Sequence, residues 1–206
     1  MNIFYFHQYF TTPSGSFGTR SYELSKYLVS KGYNVTIICL SNDRSDTGLN
    51  KEFKNSVRKG IVDGIKVIEY QFFYSNKQNI FERSKVFIKY VSRSLLLIFK
   101  EDIDLIYASS TPLTIAIPGI FGKIFKGIPF IFEVRDLWPE LPRAMGVLTN
   151  PLILLILDFL QILSYASADI CIGLSKGICE GIEKKNFFKK KVYLVPNACD
   201  LKLFEN

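Results

Sequence analysis

"NIFYFHQYFTTPSGSFGTRSYELSKYL", residues Asn2 to Leu28, is the stretch on which the fold turns. Asn2 to Phe6 is an apolar run of strand type. Thr19 to Ser30 carries Tyr22, Leu24, Tyr27 and Leu28 at helical spacing and stops at Gly32, a natural helix terminator. Between strand and helix stand Gly15, Ser16 and Gly18, with Arg20 just inside the helix. Two readings are open. The glycines serve a tight turn, with Arg20 on the surface. Alternatively, they permit φ > 0 and let a bulky anion approach the main chain, next to a helix N-terminus that offers free N–H groups. In the second reading Arg20 forks onto a phosphate or carboxylate. The spacing GxxGxR is neither the GxGxxG of dinucleotide binders nor a P-loop.

Outward from this stretch, the same alternation recurs. "NVTIICL" from Asn34 is a β-branched strand, and Ser41 to Asn55 is a polar stretch that takes no assignment. Asp63-Gly64 between two apolar runs predicts a hairpin or short turn. A helix follows from about Asn79 to Lys100, then the strand "DLIYASS" and a helical pattern over Pro112 to Phe125 despite Pro118 and Gly119. Next come the strand "IPFIFEVRD", a helix near Pro151 to Ser167, the strand "DICIG", a helix near Ser175 to Lys185, and the strand "KVYLVPN". Strands alternating with helices, several of them continuously apolar, predict an α/β fold: a Rossmann-like, mainly parallel sheet with helices on both faces.

The 206 residues suffice for one ample core. The formal net charge of +7 favours a negatively charged partner. Cys39, Cys171, Cys179 and Cys199 show no CxxC spacing, and with His7 as the one histidine no metal-ligand cluster can be assembled. Reduced, mostly buried thiols are expected. The N-terminus reads as strand without a basic leader, which places the protein in the cytoplasm. The apolar run from Ala144 to Ala168 is interrupted by Pro151, Asp158 and Gln161, and reads as a buried or membrane-resting helix rather than a span.

A second constellation, "EVRDLWPELPRAMG", follows another strand and gathers Glu133, Arg135, Asp136, Trp138, Glu140 and Arg143. Such a loop offers carboxylates to hydroxyl groups, guanidinium to anions and an aromatic face to a sugar ring. The alternative is an Arg–Asp ion pair and a Trp–Pro corner that anchor the loop.

"YFTTPSGSFGTRSYELSKYLVSKGYNVTII", "FEVRDLWPE", "ADICIGLSKGI" and "VYLVPNACDLKLF", in that order, resemble the N-terminal half of retaining glycosyltransferases of family 4, especially the WbuB-like type of O-antigen and capsule synthesis. The resemblance implies a GT-B fold. In it, residues 1–195 form an acceptor-side domain and 196–206 start a linker to a missing C-terminal donor-binding domain. It implies transfer of a sugar, with retention, from a nucleotide diphosphate sugar to a glycan or polyprenyl-diphosphate-linked acceptor, with no cofactor or metal. Gly15, Ser16 and Gly18 would form the donor diphosphate loop. Asp136 and Arg135 would be catalytic, and Arg20, Trp138, Glu140 and Arg143 would contact the acceptor. Relatives commonly carry His-Asp where this chain has Arg135-Asp136, and Pro-Asn-Gly-Val-Asp where it has "PNACD". This chain alone is expected to be inactive. Other arrangements left open are a split transferase subunit and a non-catalytic membrane-surface adaptor.

Lys85, Lys89, Arg93 and Lys100 fall within an arc of about 80° on a helical wheel, beside Phe87, Ile88, Val91, Leu95, Ile98 and Phe99. This basic amphipathic pattern either rests on an anionic membrane surface, at the inner face of the plasma membrane, or packs its apolar side on the sheet. "KKNFFKKK" adds further lysines. No element of a nucleic-acid-binding fold accompanies these charges.

Overall fold

The computed structural model describes residues 1–72 and 80–198. Cys199, Asn79 and most of the expected linker 196–206 lie outside the described residues. The strands are β1 (Asn2–Phe6), β2 (Asn34–Leu40), β3 (Val57–Val62), β4 (Ile65–Tyr70), β5 (Leu105–Ser109), β6 (Phe130–Val134), β7 (Ile170–Gly173) and β8 (Lys191–Leu194). The helices are α1 (Arg20–Ser30), α2 (Ile80–Lys100), α3 (Ala116–Lys126), α4 (Glu140–Ala144), α5 (Pro151–Ser167) and α6 (Lys176–Lys185). The fold is the expected α/β one. One eight-stranded sheet has the order β3-β4-β2-β1-β5-β6-β7-β8, parallel except where β3 meets β4.

The alternation of side chains along β1 divides the core in two. Phe4 and Phe6 join the cluster under α2, α3, α5 and α6, where Val86, Tyr90, Ile120, Tyr165 and Ile182 are buried. Ile3 and Tyr5 join the opposite cluster, with Tyr22 and the half-buried Leu24 and Leu28 of α1. The α2 apolar side thus lies partly on the sheet. Ile98 is buried and Phe87, Val91 and Leu95 are half-buried, whereas Ile88 and Phe99 are exposed.

Local chemistry explains the elements the pattern left doubtful. Asp63 (φ 48°) and Gly64 (φ 80°) are both left-handed, as a two-residue turn between twisted antiparallel strands demands, so the hairpin is β3–β4. In the Pro112–Phe125 segment a 3-10 turn at Leu113–Ile115 leads into α3. Pro118 then falls in the first turn of α3, where a missing N–H costs little. The polar stretch after β2 lies along the first loop: Thr12 N donates to Asp46 O at 2.7 Å and Ser16 N to Arg44 O at 2.9 Å.

Candidate functional site

The chain leaves β1 for β2 on one side, while β5 pairs on the other. At such a reversal the loops diverge and leave a crevice at the carboxyl ends of the strands. Into this region run His7 after β1, Ser110 and Thr111 after β5, Arg135 and Asp136 after β6, and the start of α1.

His7 joins three of these segments. Its Nε2 lies 2.9 Å from Arg135 Nη1, and its Nδ1 lies 2.7 Å from Ser21 Oγ on α1. A guanidinium only donates, so Nε2 must accept and the proton resides on Nδ1, which donates to Ser21. Burial, reinforced by the Arg135 charge, pulls the imidazole down to about 3, so His7 is neutral at physiological pH. The Arg135 backbone N–H is fixed by Ser110 Oγ at 3.0 Å. Among the described residues no carboxylate pairs with Arg135, so its charge faces only a neutral acceptor.

Beside this unmatched cation lies a matched one. Glu133 is fully buried on β6 and accepts from Arg20 Nε at 3.0 Å, Tyr107 Oη at 2.7 Å and Ser109 Oγ at 2.6 Å. Burial first, then Tyr5 and Glu133, raise the Tyr107 phenol, which keeps it a donor. The remaining Arg20 nitrogens donate to Pro196 O at 2.8 Å and Val195 O at 3.0 Å. Arg20 therefore ties the exit of β8 to the start of α1, and its expected anion is Glu133 of the same chain.

Neither Gly15 nor Gly18 is among the positive-φ residues, so the expected left-handed backbone is not their reason. A Cβ on Gly15 would fall 2.0 Å from Thr11 Oγ1 and 2.7 Å from the Asp46 nitrogen, so this glycine admits the neighbouring loop. The Gly15 and Ser16 amides donate to Thr12 O and Arg44 O. Gly18 differs: its nearest neighbour is Arg135 Nη2, 4.0 Å from where a Cβ would stand. Thr19 at the N-cap of α1 makes no side-chain hydrogen bond into the first turn. Gly18, the helix start and Arg135 therefore form one electropositive notch.

The other expected residues divide. Asp136 Oδ2 accepts from Thr111 Oγ1 at 2.7 Å, at the edge of the notch. Trp138, half-buried, packs against the helix-side core and precedes a cis Pro139. Glu140 instead pairs with Lys185 and accepts from Gln161 Nε2 at 3.2 Å, and Arg143 pairs with Asp158 at 2.7 Å. Both are held in a network with α5 and α6 and are not joined to His7. The sequence reading missed His7 as a site residue. Its signal was a sole histidine one position beyond a strand end. Gln8 was missed too; it is fully buried, and among the described residues neither polar atom of its side chain has a hydrogen-bond partner.

The sequence profile of Glycosyltransferase Family 4 matches residues 18–203. No curated protein matches the chain. The fold is similar to that of sucrose-phosphate synthase from Thermosynechococcus elongatus, with TM-score 0.59 and 15% identity over 98% of this chain and 49% of that one. It is similar also to Anabaena HepE in complex with UDP, with TM-score 0.54 and 15% identity over 99% of this chain and 46% of that one. This chain thus spans about half the length of these structures.

Proposed function

The chain belongs to glycosyltransferase family 4, and on that premise we propose that it is the acceptor-side domain of a retaining transferase that builds surface polysaccharide such as O-antigen or capsule. The donor is a nucleotide diphosphate sugar, and the acceptor is a hydroxyl of a glycan or polyprenyl-diphosphate-linked sugar. The observation that carries this reading is the Arg135 guanidinium, unmatched by any carboxylate among the described residues, beside Gly18 and the uncapped start of α1. In the transfer, the bond from the anomeric carbon to the diphosphate breaks and the diphosphate leaves with the electron pair. The acceptor oxygen bonds to that carbon and its proton passes to the departing diphosphate. Negative charge grows on the departing diphosphate, which is what a guanidinium and oriented N–H dipoles stabilise. Neutral His7 fixes Arg135 without competing for it, because it adds no charge of either sign.

Asp136 is assigned to hold the acceptor hydroxyl, with Thr111 orienting its carboxylate. Trp138 is assigned to a sugar face. The Gly15 and Ser16 amides already have protein partners, so contact with the diphosphate narrows to Gly18 and the first turn of α1. Arg20 serves the notch by holding the β8 exit. A second domain following the β8 exit supplies the remainder of the donor site, so this chain alone turns over little.

Anabaena HepE, similar in fold, is found in complex with UDP and with UDP-glucose, which supports a uridine nucleotide as the first probe. Titration of the chain with UDP-glucose, followed by backbone amide chemical shifts, is expected to move Gly18, Ser21 and Arg135 together. Shifts confined to other parts of the sheet, or efficient sugar transfer by this chain alone, would contradict the reading.

A further inference from the structure

We propose that the outward face of α5 docks on the surface of an anionic lipid bilayer. The proposal goes beyond the assignment of sugar transfer and does not depend on it.

Helix α5 is apolar on its outward side as well as on its inward one, where Leu157, Leu160, Leu163 and Tyr165 pack against the core. Its buried residues are Gln161, Ser164, Tyr165 and Ser167. The polar atoms of the first three are matched inside the protein: Gln161 Nε2 donates to Tyr165 Oη at 3.1 Å, Lys185 Nζ donates to Gln161 Oε1 at 2.6 Å, and Ser164 Oγ donates to Leu160 O at 2.6 Å. Leu152, Leu155, Ile156 and Phe159 are 65%, 66%, 58% and 65% exposed. At about 100° per residue these four fall within an arc of about 100°. An ordinary amphipathic helix places its apolar arc inward and its polar arc outward. Here an apolar arc faces outward as well, and it is unmatched unless an apolar medium covers it.

The surroundings indicate which medium. Helix α3, packed between α2 and α5, carries no acidic residue and exposes Ile124 and Phe125, while its Lys123 and Lys126 are held by Asp169 and by the carbonyls of Ile98 and Glu101. Lys89 and Arg93 are exposed on α2 in the same helix layer. Aliphatic and aromatic side chains with long basic neighbours suit the boundary of an anionic membrane, where the chains enter the acyl region and the cations meet head groups. No helix among the described residues is long and apolar enough to cross a membrane, so α5 lies along the surface. Its N-terminal half begins at the carboxyl end of the sheet, the end that carries the notch.

The test is co-sedimentation of the chain with phosphatidylglycerol–phosphatidylcholine vesicles, compared with the Leu155→Glu/Phe159→Glu double variant. Both positions face outward, so the thermal midpoint is expected to stay within experimental scatter. The wild-type chain is expected to pellet with the anionic vesicles, and the variant to lose at least about tenfold in partitioning. Vesicles of phosphatidylcholine alone are expected to retain less of the wild type. The proposal is overturned if the wild type stays in the supernatant or if the variant partitions equally. It is overturned also if the wild type forms a dimer in lipid-free buffer that the variant abolishes, because the covering partner would then be a second copy.

Discussion

His7 shows how one buried side chain makes stability depend on pH. In the unfolded chain the imidazole gains its proton near pH 6.5; in the folded chain it does so only at about 3. Between those values the unfolded state binds the additional proton, so acidification favours unfolding. The contribution present above pH 6.5 falls by up to about 1.4 kcal/mol per pH unit as pH drops through this window. Urea titrations between pH 6.5 and 4.5 should show a steeper loss for wild type than for His7→Gln. Parallel pH dependences would mean that the ring takes up its proton in the fold. Glu133 makes the complementary case. Glu133→Ala leaves the mostly buried Arg20 guanidinium without its anion and strands Tyr107 and Ser109, at a cost of about 3–5 kcal/mol. Glu133→Gln retains an oxygen for the two hydroxyls and should lose less in the same denaturation assay. Neither role was legible from the sequence. His7 needed the distant Arg135 and Ser21, and Glu133 looked like a loop carboxylate although its neighbours in an apolar strand hinted at burial.

At the scale of elements, the signals that could be read were local. The apolar runs of β1, β2, β5 and β6, the Asp63-Gly64 turn and the α1 and α6 helices follow from period and punctuation. Unread was what depends on contact between elements. Gly119 looked like a weakness in α3, yet a Cβ there would fall 2.2 Å from the ring of Phe130 on β6, so the glycine sets how closely the helix approaches the sheet. Gly119→Ala is therefore expected to cost about 1–3 kcal/mol through overpacking. Gly177 on α6 has nothing within 4 Å of its would-be Cβ, and Gly177→Ala should be neutral or gain up to about 1 kcal/mol. Equal effects at the two positions in thermal unfolding would remove the packing explanation. In α5, Asp158 and Gln161 read as interruptions of an apolar run, whereas both are paired with Lys185 of α6.

For the whole molecule, topology brings distant segments to one end of the sheet. His7, Ser21, Arg135 and Asp136 converge because β1, β5 and β6 are parallel and the chain reverses its direction of travel beside β1. The order of motifs made the fold and family expectation legible. It left hidden that Arg20 would be occupied by Glu133 and the β8 exit, while Arg135 would remain the unmatched cation. The central claim is that this cation and the α1 start receive a diphosphate. The most direct measurement is calorimetric titration of the chain with inorganic pyrophosphate, comparing wild type, Arg135→Gln and Arg143→Gln at one ionic strength. Each variant removes one positive charge, but Arg143 is already paired with Asp158. The account predicts that Arg135→Gln weakens binding at least about tenfold, roughly 1.4 kcal/mol, while Arg143→Gln leaves it nearly unchanged. Equal weakening by both variants, or wild-type affinity in Arg135→Gln, would contradict it.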